Sequence, residues 1–368
     1  MKKYLKKVAL YFAIATFILL YFLFPKSAGE AVSNALALCG GIVIPSLFIF
    51  FIISDLFVKS GMCEDMGRLV SPLLSPLLKL SGGACVSFIV SLISGYPAGG
   101  IGAVTLYKKG GVGRAECERL LMFSNNCGPA FLITAVGSSM LGSVRAGAFL
   151  YIVHIISAAL IAALSGRIYP SMREKSTSVP PREEKSALLL LSDAISSSAL
   201  IMLNVCASIV VFSAVIGLLN ESGAADIISG ILKLFDIPEN ITRASLGSLL
   251  ELTAGTSMIC SSVTDARLML TLISAFTGFG GFCVHMQLLP HVYEAGLRAG
   301  KYFLGKTAHA VIAAAITYFT ADDFLETAVV FSPAYAEKAA AFAFGGSLPL
   351  LLCAGAGILS FILFKKRS

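Results

Sequence analysis

Apolar residues run through the chain in long stretches that polar positions interrupt only briefly. Several stretches approach or exceed the roughly 20 residues that a helix needs to cross the hydrocarbon core of a bilayer. They predict about eight spanning helices, near residues 8–24, 35–58, 120–141, 144–165, 187–219, 268–290, 306–320 and 345–364. Two further apolar segments, about 84–107 and 244–260, contain helix breakers, and we expect each to be a re-entrant hairpin. The pattern therefore predicts an all-α polytopic membrane protein.

The composition excludes a water-soluble domain. Hydrophobic residues make up 57% of the 368 residues, charged residues 13%, and the mean hydropathy is +0.85. A soluble domain carries about a quarter charged residues. We expect the first apolar stretch to be a retained helix, because no convincing small-residue cleavage site follows it.

Basic residues predict the orientation in the membrane. If the two broken segments are hairpins, both termini lie on the same side, and most lysines and arginines fall in tails and loops on that side, including 59–83, 108–119, 166–186 and 292–306. Six of the 28 fall elsewhere: Lys26, Arg145, Lys233, Arg243, Arg267 and Lys338. By the positive-inside rule we expect a multi-pass protein with both termini in the cytoplasm. This topology accounts for the net charge of +7, so we expect no nucleic-acid partner.

The broken segments occur at matching places in the two halves of the chain. Residues 94–99 (SGYPAG) correspond to 250–255 (LELTAG), 156 positions later, and residues 124–129 (SNNCGP) correspond to 277–282 (TGFGGF), 153 positions later. The first hairpin lies between basic loops and the second between outer loops, so the two halves are inverted. Paired interrupted segments of this kind are typical of transporters with a substrate site near the membrane centre.

We expect five parts along the chain. They are an N-terminal transmembrane helix with an outer loop (1–34), a first repeat (35–165), a cytoplasmic linker (166–186), a second, inverted repeat (187–320), and an acidic outer loop with a C-terminal transmembrane helix (321–368).

The first hairpin offers candidate substrate-binding residues. Gly95 allows a tight reversal next to Tyr96, and Pro97 removes a backbone donor. The half-helix ends that result would aim backbone N–H groups at an anionic ligand. The alternative is a purely structural kink.

Three hydrogen-bonding side chains, Ser124, Asn125 and Asn126, precede a helix restart at Pro129. Adjacent amides in a membrane helix are costly unless they face each other, water or a substrate. We therefore expect substrate contact here, with helix capping or packing between helices as the alternative.

Glu251 is the acidic residue of the second hairpin. A carboxylate near the membrane centre binds a cation, binds a proton or pairs with a base, so Glu251 is a candidate coupling or gating residue. Thr253, Gly255 and Thr256 would line the same hairpin. The alternative places Glu251 at the outer interface.

The last broken segment repeats this logic with glycines in place of amides. Gly280 and Gly281 provide the break, and His285 and Gln287 can bind a carboxylate or a polar ring atom. We count all four as candidate substrate-binding residues.

Other chemistry finds little support. The nine cysteines are scattered without CxxC or Cys/His ligand spacing, so we expect no metal site. No phosphate-binding loop or catalytic set of acid, base and nucleophile occurs at useful spacing, so we expect neither an enzyme nor a bound cofactor. The sequence leaves undecided whether a proton or a cation couples to the substrate.

Four motifs together, SGYPAGG, FSNNCGPAFLI, ELTAGTS and GFGGFCVHMQ, resemble the sporulation integral membrane protein YlbJ family, whose members carry nucleoside-recognition (Gate) domains. The similarity covers about residues 35–320, so both repeats are Gate-like. The family's usual Asn-Thr or Asn-Ser pair before the proline is replaced here by Asn125-Asn126-Cys127-Gly128.

The resemblance implies a transporter of dipicolinic acid toward the forespore, located in the outer (mother-cell-derived) forespore membrane. Its partners would be a small anionic solute and the lipid bilayer, with a homo-oligomer or other sporulation membrane proteins as further possibilities. A dianion would be repelled by Glu251 unless a proton or a cation accompanies the substrate. The alternatives are a nucleoside or nucleobase transporter and a non-transporting sporulation scaffold.

Overall fold

The computed structural model describes residues 2–169, 186–234 and 236–327. Their regular structure is helical throughout, which confirms the all-α prediction for this part of the chain. In the first half, the helices are α1 (Lys2–Leu23), α2 (Pro25–Leu38), a π-helical turn (Cys39–Val43), α3 (Ile44–Lys59), α4 (Met62–Leu78), α5 (Gly82–Ser94), α6 (Ala98–Lys108), α7 (Arg114–Leu120), a long π-helix (Ala130–Met140) and α8 (Val144–Ile168).

The second half follows the same order of long, short and broken helices. Its helices are α9 (Ala187–Glu221), α10 (Ala224–Lys233), α11 (Glu239–Leu250), α12 (Leu252–Ser262), α13 (Ala266–Phe279), α14 (Gly281–Glu294) and α15 (Gly300–Thr327).

Four helical stretches of the described residues are long and apolar enough to cross a bilayer: Pro25–Lys59, Val144–Ile168, Ala187–Glu221 and Ala266–Glu294. A fifth is present if the end of α4 and α5, which meet at a bend of 99°, form one span. The chain is thus a polytopic helical membrane protein, and the count of eight spans stays a prediction. The predicted span 345–364 and most of the predicted linker lie outside the described residues.

Several predicted boundaries are wrong. Residues 120–141 do not form one helix, because α7 ends at Leu120 and the π-helix starts only at Ala130. Between them the Asn126 Nδ2 donates to the Phe123 carbonyl at 2.6 Å, in competition with the helical backbone pattern, and Pro129 has no N–H to offer. The predicted outer loop begins too early as well, since α15 continues to Thr327.

Equivalent long helices of the two halves pack in opposite directions. The start of α2 lies beside the end of α9, where Gly217 approaches Ala31, and the end of α3 lies beside the start of α9, where Lys59 Nζ donates to Ser197 Oγ at 2.9 Å. Helices α8 and α15 are likewise antiparallel, because the rings of Phe149 and Phe324 stack with centroids 4.5 Å apart. An inverted repeat would produce this arrangement.

Helix α4 replaces the loop expected at 59–83. It exposes Leu69, Leu73 and Leu77, which are spaced four residues apart and therefore share one helical face. A helix with such a face suits the boundary between lipid and water.

The second hairpin depends on a glycine for its close packing. A Cβ added at Gly255 would lie 2.1 Å from the backbone nitrogen and Cα of Ser248, so α11 and α12 touch backbone to backbone at this point. Gly255 therefore has a packing role, and it is not among the residues that line the cavity described below.

We expect Gly255→Ala to destabilise the protein, because a methyl group cannot fit without separating α11 from α12. Overpacking of this kind costs about 1–3 kcal/mol. The measurement is the melting temperature of the detergent-solubilised protein. Gly102→Ala is the matched control, since nothing lies within 4 Å of a Cβ there. Equal melting temperatures for the two variants would contradict the packing role.

Candidate functional site

The four breaks in the helices meet in one place. A Cβ on Gly95, between α5 and α6, would lie 2.9 Å from the backbone nitrogen of Gly128, in the second break. In the other half, a Cβ on Gly281 would lie 3.3 Å from the nitrogen of Leu252. Tyr96 connects the halves, because its hydroxyl donates to the Thr277 carbonyl at 2.6 Å.

Glycine geometry permits the two sharpest breaks. Gly95 ends α5 with φ of +73°, and Gly280 ends α13 with φ of +101°, both in the left-handed region that favours glycine. Gly280 also faces the Tyr96 hydroxyl, to which an added Cβ would come within 3.2 Å. The predicted residues Gly95, Gly280 and Gly281 thus shape the meeting point by their backbone.

A cavity of about 70 Å³ lies where the breaks meet. This is room for a few water molecules. Its wall is mostly apolar, with Phe50, Phe51 and Phe131 among the lining residues. Polar side chains in the wall are few: Ser94, Tyr96, Ser208, Glu251, Thr253 and Gln287. An apolar pocket with a small number of convergent polar groups is the usual form of a small-molecule site.

A wider vestibule of about 460 Å³ adjoins this cavity. Pro97, Asn204 and His291 line the vestibule, whereas Ser208 and Gln287 line both spaces. The Gln287 Nε2 donates to Ser208 Oγ at 3.2 Å, so this hydrogen bond is part of the wall between them.

The vestibule lies toward the basic loops. His291 is close in sequence to Glu294, which pairs with Lys108 at 3.9 Å at the end of α6. Residues 108–119 are predicted to be cytoplasmic, so under that topology the vestibule opens toward the cytoplasm.

Glu251 lies in the cavity wall and caps α12. Its Oε2 accepts a hydrogen bond from the Ala254 N–H at 2.5 Å, its Oε1 faces the Cys283 thiol at 3.6 Å, and the residue is only 2% exposed. The carboxyl therefore satisfies a backbone donor at the positive end of α12. The N-terminal end of α12 is thus occupied by the carboxyl of Glu251.

Ser124, Asn125 and Asn126 are fully buried and lie outside the cavity lining. The Asn125 Nδ2 donates to Tyr302 Oη at 3.0 Å, which ties the second break to α15. The Asn126 Nδ2 donates to Ser91 Oγ at 3.2 Å, which ties the same break to α5. Substrate contact by these three residues stays a prediction.

Other predicted residues also stand behind the wall. His285 Nδ1 lies 2.6 Å from Tyr302 Oη, and its ring meets Phe279 edge to face. Thr256 Oγ1 donates to the Leu252 carbonyl of its own helix at 2.6 Å. Of the predicted side chains, the cavity wall contains those of Tyr96, Glu251, Thr253 and Gln287.

Lys306 lies beside the breaks, although the sequence pattern did not predict it as a site residue. It was assigned to the cytoplasmic loop 292–306, but α15 starts at Gly300 and buries it completely. Its Nζ donates to Tyr96 Oη and to the Asn125 carbonyl, both at 2.9 Å. The available signal was its setting between Gly305 and Ala308, because small residues favour close packing of membrane helices. Gly305 indeed packs against Met122.

Two histidines at equivalent positions of the repeats meet behind the second break. The ring centroids of His154 and His309 are 4.1 Å apart, and His154 Nε2 accepts the backbone N–H of Cys127 at 3.0 Å. Within the described part of the chain, no group of three His, Cys, Asp or Glu side chains is placed to hold a metal ion.

Comparison with known proteins supports the family resemblance. The chain is 28% identical over 316 residues to sporulation integral membrane protein YlbJ of Bacillus subtilis strain 168, a match that covers 79% of this chain and 76% of the relative. The resemblance to the YlbJ family predicted from the four motifs is thereby confirmed. No protein-family model matches the chain.

We expect Gln287→Ala to raise the rate at which a small water-soluble thiol reagent modifies Cys283, a residue of the cavity wall, from the vestibule side. The substitution removes a wall side chain and one neutral hydrogen bond, worth about 0.5–1.5 kcal/mol, so the rate should rise about 2- to 10-fold. Mass spectrometry of the labelled peptide measures it. Asn204→Ala, which changes only the vestibule, is the control. An unchanged rate in Gln287→Ala would show that the Ser208–Gln287 contact does not separate the two spaces.

Proposed function

We propose that this relative of a sporulation membrane protein is a secondary transporter of a small organic anion, with dipicolinic acid moved toward the forespore as the leading substrate. The observation that carries the proposal is the cavity at which all four helix breaks meet. No catalytic step is part of it, and no bound cofactor is required. A proton or a cation would accompany the substrate.

Membrane energetics favour transport over a passive role for the breaks. Lipid cannot satisfy backbone groups that a broken helix frees, so breaks persist where protein or a water-filled space covers them. A single break can be a kink. Here four breaks converge on one cavity, and the side chains of Ser208 and Gln287 separate this cavity from a vestibule. A pathway for a solute needs such an arrangement.

The cavity wall suits a flat aromatic solute with polar ends. Phenylalanine side chains offer apolar faces, while Ser94, Thr253 and Gln287 offer hydrogen bonds. The volume of about 70 Å³ would have to grow for such a solute to enter. We therefore propose that the two hairpins move against the frame formed by α2–α3, α8, α9 and α15.

The membrane arrangement belongs to the same proposal. Two inverted Gate-like repeats, two re-entrant hairpins and about eight spans would place both termini in the cytoplasm of the mother cell. By the family resemblance the protein would lie in the outer forespore membrane. The antiparallel packing of the equivalent long helices supports the inversion.

Nucleoside or nucleobase transport is the second candidate. Neutral groups such as those of Ser94, Thr253 and Gln287 are the kind that read ribose hydroxyls and base edges, and they outnumber the charged groups in the wall. Competition between uridine and dipicolinate for uptake separates the two candidates.

We expect Glu251→Gln and Asn125→Ala to reduce dipicolinate uptake into proteoliposomes by at least about tenfold, or 1.4 kcal/mol, without lowering membrane abundance. Gln keeps the cap on α12 but cannot carry a proton or charge through a transport cycle, and Ala breaks the link to Tyr302. Radiolabelled uptake measures both effects.

The exposed residues Glu239 and Asn240 provide matched controls, Glu239→Gln and Asn240→Ala. Both controls should transport as the wild type does. Normal dipicolinate flux in Glu251→Gln and Asn125→Ala would defeat the proposed mechanism and favour a scaffold role. Uptake of uridine that dipicolinate fails to inhibit would favour the second candidate.

A further inference from the structure

We propose that Lys306, acting together with Tyr96, forms a carboxylate-binding subsite of the transport cavity. This inference rests on the proposed function and names the group that recognises the charge of the substrate. The ligand class is an organic anion with at least one carboxylate.

The position of Lys306 links it to the cavity through one side chain. Tyr96 lines the cavity, and its hydroxyl accepts a hydrogen bond from Lys306 Nζ at 2.9 Å while it donates to the Thr277 carbonyl. The ammonium also lies 5.0 Å from the centre of the Tyr96 ring. A rotation of Tyr96 would therefore expose the ammonium to a solute.

Among the described residues, no carboxylate pairs with Lys306 in this conformation. Its two hydrogen-bond acceptors, Tyr96 Oη and the Asn125 carbonyl, are both neutral. None of the ion pairs among the described residues includes Lys306, although the residue is fully buried. An isolated buried ion is unfavourable, and a carboxylate with good geometry offsets that cost.

The two hydrogen bonds that Lys306 donates do not by themselves require a lysine. The two oxygens that Lys306 contacts need hydrogen-bond donors, and a neutral glutamine supplies two N–H groups without the cost of a buried charge. A charged residue in the interior of a membrane protein is a functional candidate by default. Its charge, rather than its donors, is therefore the property to explain.

Neighbouring polar atoms offer further contacts for an anion. Among the described residues, the buried Ser124 Oγ and Asn125 Oδ1 have no hydrogen-bond partner, and both belong to the break that Lys306 contacts. A hydroxyl can donate to a carboxylate, and an amide can turn its NH₂ group toward one. Glu251 lines the cavity at the break between α11 and α12, so it would form the acidic side of the cavity and Lys306 the cationic side.

The test compares Lys306→Gln with the wild type, because Gln keeps hydrogen-bond donors and removes the charge. Binding is measured in detergent as the ligand-dependent rise in melting temperature, with three ligands of one shape: dipicolinate, picolinate and the neutral pyridine-2,6-dicarboxamide. Uptake of dipicolinate into proteoliposomes is measured in parallel. Lys301→Gln is the matched control, since Lys301 lies on the same helix and pairs with Glu118 at 3.7 Å.

We expect the wild type to bind dipicolinate more tightly than the diamide. In Lys306→Gln the ratio of these two affinities should fall at least about 30-fold, because the substitution removes one partner of a buried charged pair. Lys301→Gln should keep the preference. Tyr96→Phe should weaken dipicolinate binding less than Lys306→Gln does.

Four results would overturn the subsite. A wild-type preference in Lys306→Gln would show that the charge of Lys306 has no part in recognition. If Lys306→Gln binds all three ligands more weakly by the same factor, Lys306 has a structural role only. The same conclusion holds if Lys306→Gln is too unstable for binding to be measured while Tyr96→Phe binds dipicolinate normally. A wild type that neither binds nor transports dipicolinate would defeat the proposed function itself, and the subsite with it.

Discussion

The structure depends on the need to satisfy backbone groups where membrane helices break. Side chains from elsewhere in the chain meet this need at three of the four breaks. Tyr96 donates to the Thr277 carbonyl, Lys306 to the Asn125 carbonyl and Tyr151 to the Leu92 carbonyl, the last at 2.9 Å. His154 accepts the Cys127 N–H. These bonds join residues from 27 to 181 positions apart, so they tie the three breaks to other parts of the fold.

This constraint changes the interpretation of the polar residues inside the apolar segments. A polar side chain near a break can serve the backbone, the cavity or both. Asn126 and Thr256 illustrate the first role, since both bond to backbone carbonyls. Glu251 illustrates an overlap, because one carboxylate caps α12 and also faces the cavity. Under the proposed transport mechanism, such shared bonds would couple solute binding to hairpin movement.

The sequence predicted best those features that composition and helix breakers determine, namely the positions of the broken segments. Apolar stretches and the pairs of Gly and Pro residues located the broken segments within a few residues, and Tyr96, Glu251, Thr253 and Gln287 are indeed in the cavity wall. The continuity of helices was harder to predict. Residues 120–141 appear as one apolar run in the sequence, yet Asn126 and Pro129 interrupt the helix through contacts that the hydropathy pattern does not encode.

By itself, the sequence determined that this protein is helical and lies in a membrane, and that its two halves share a pattern of broken segments, because hydropathy and helix breakers act locally. Only the tertiary structure decided which polar residues meet. Lys306 is close in sequence to basic loop residues, and its burial beside Tyr96 results from the packing of α15 against the second break. Such contacts join residues about 180 to 210 positions apart, a separation over which no local pattern carries information.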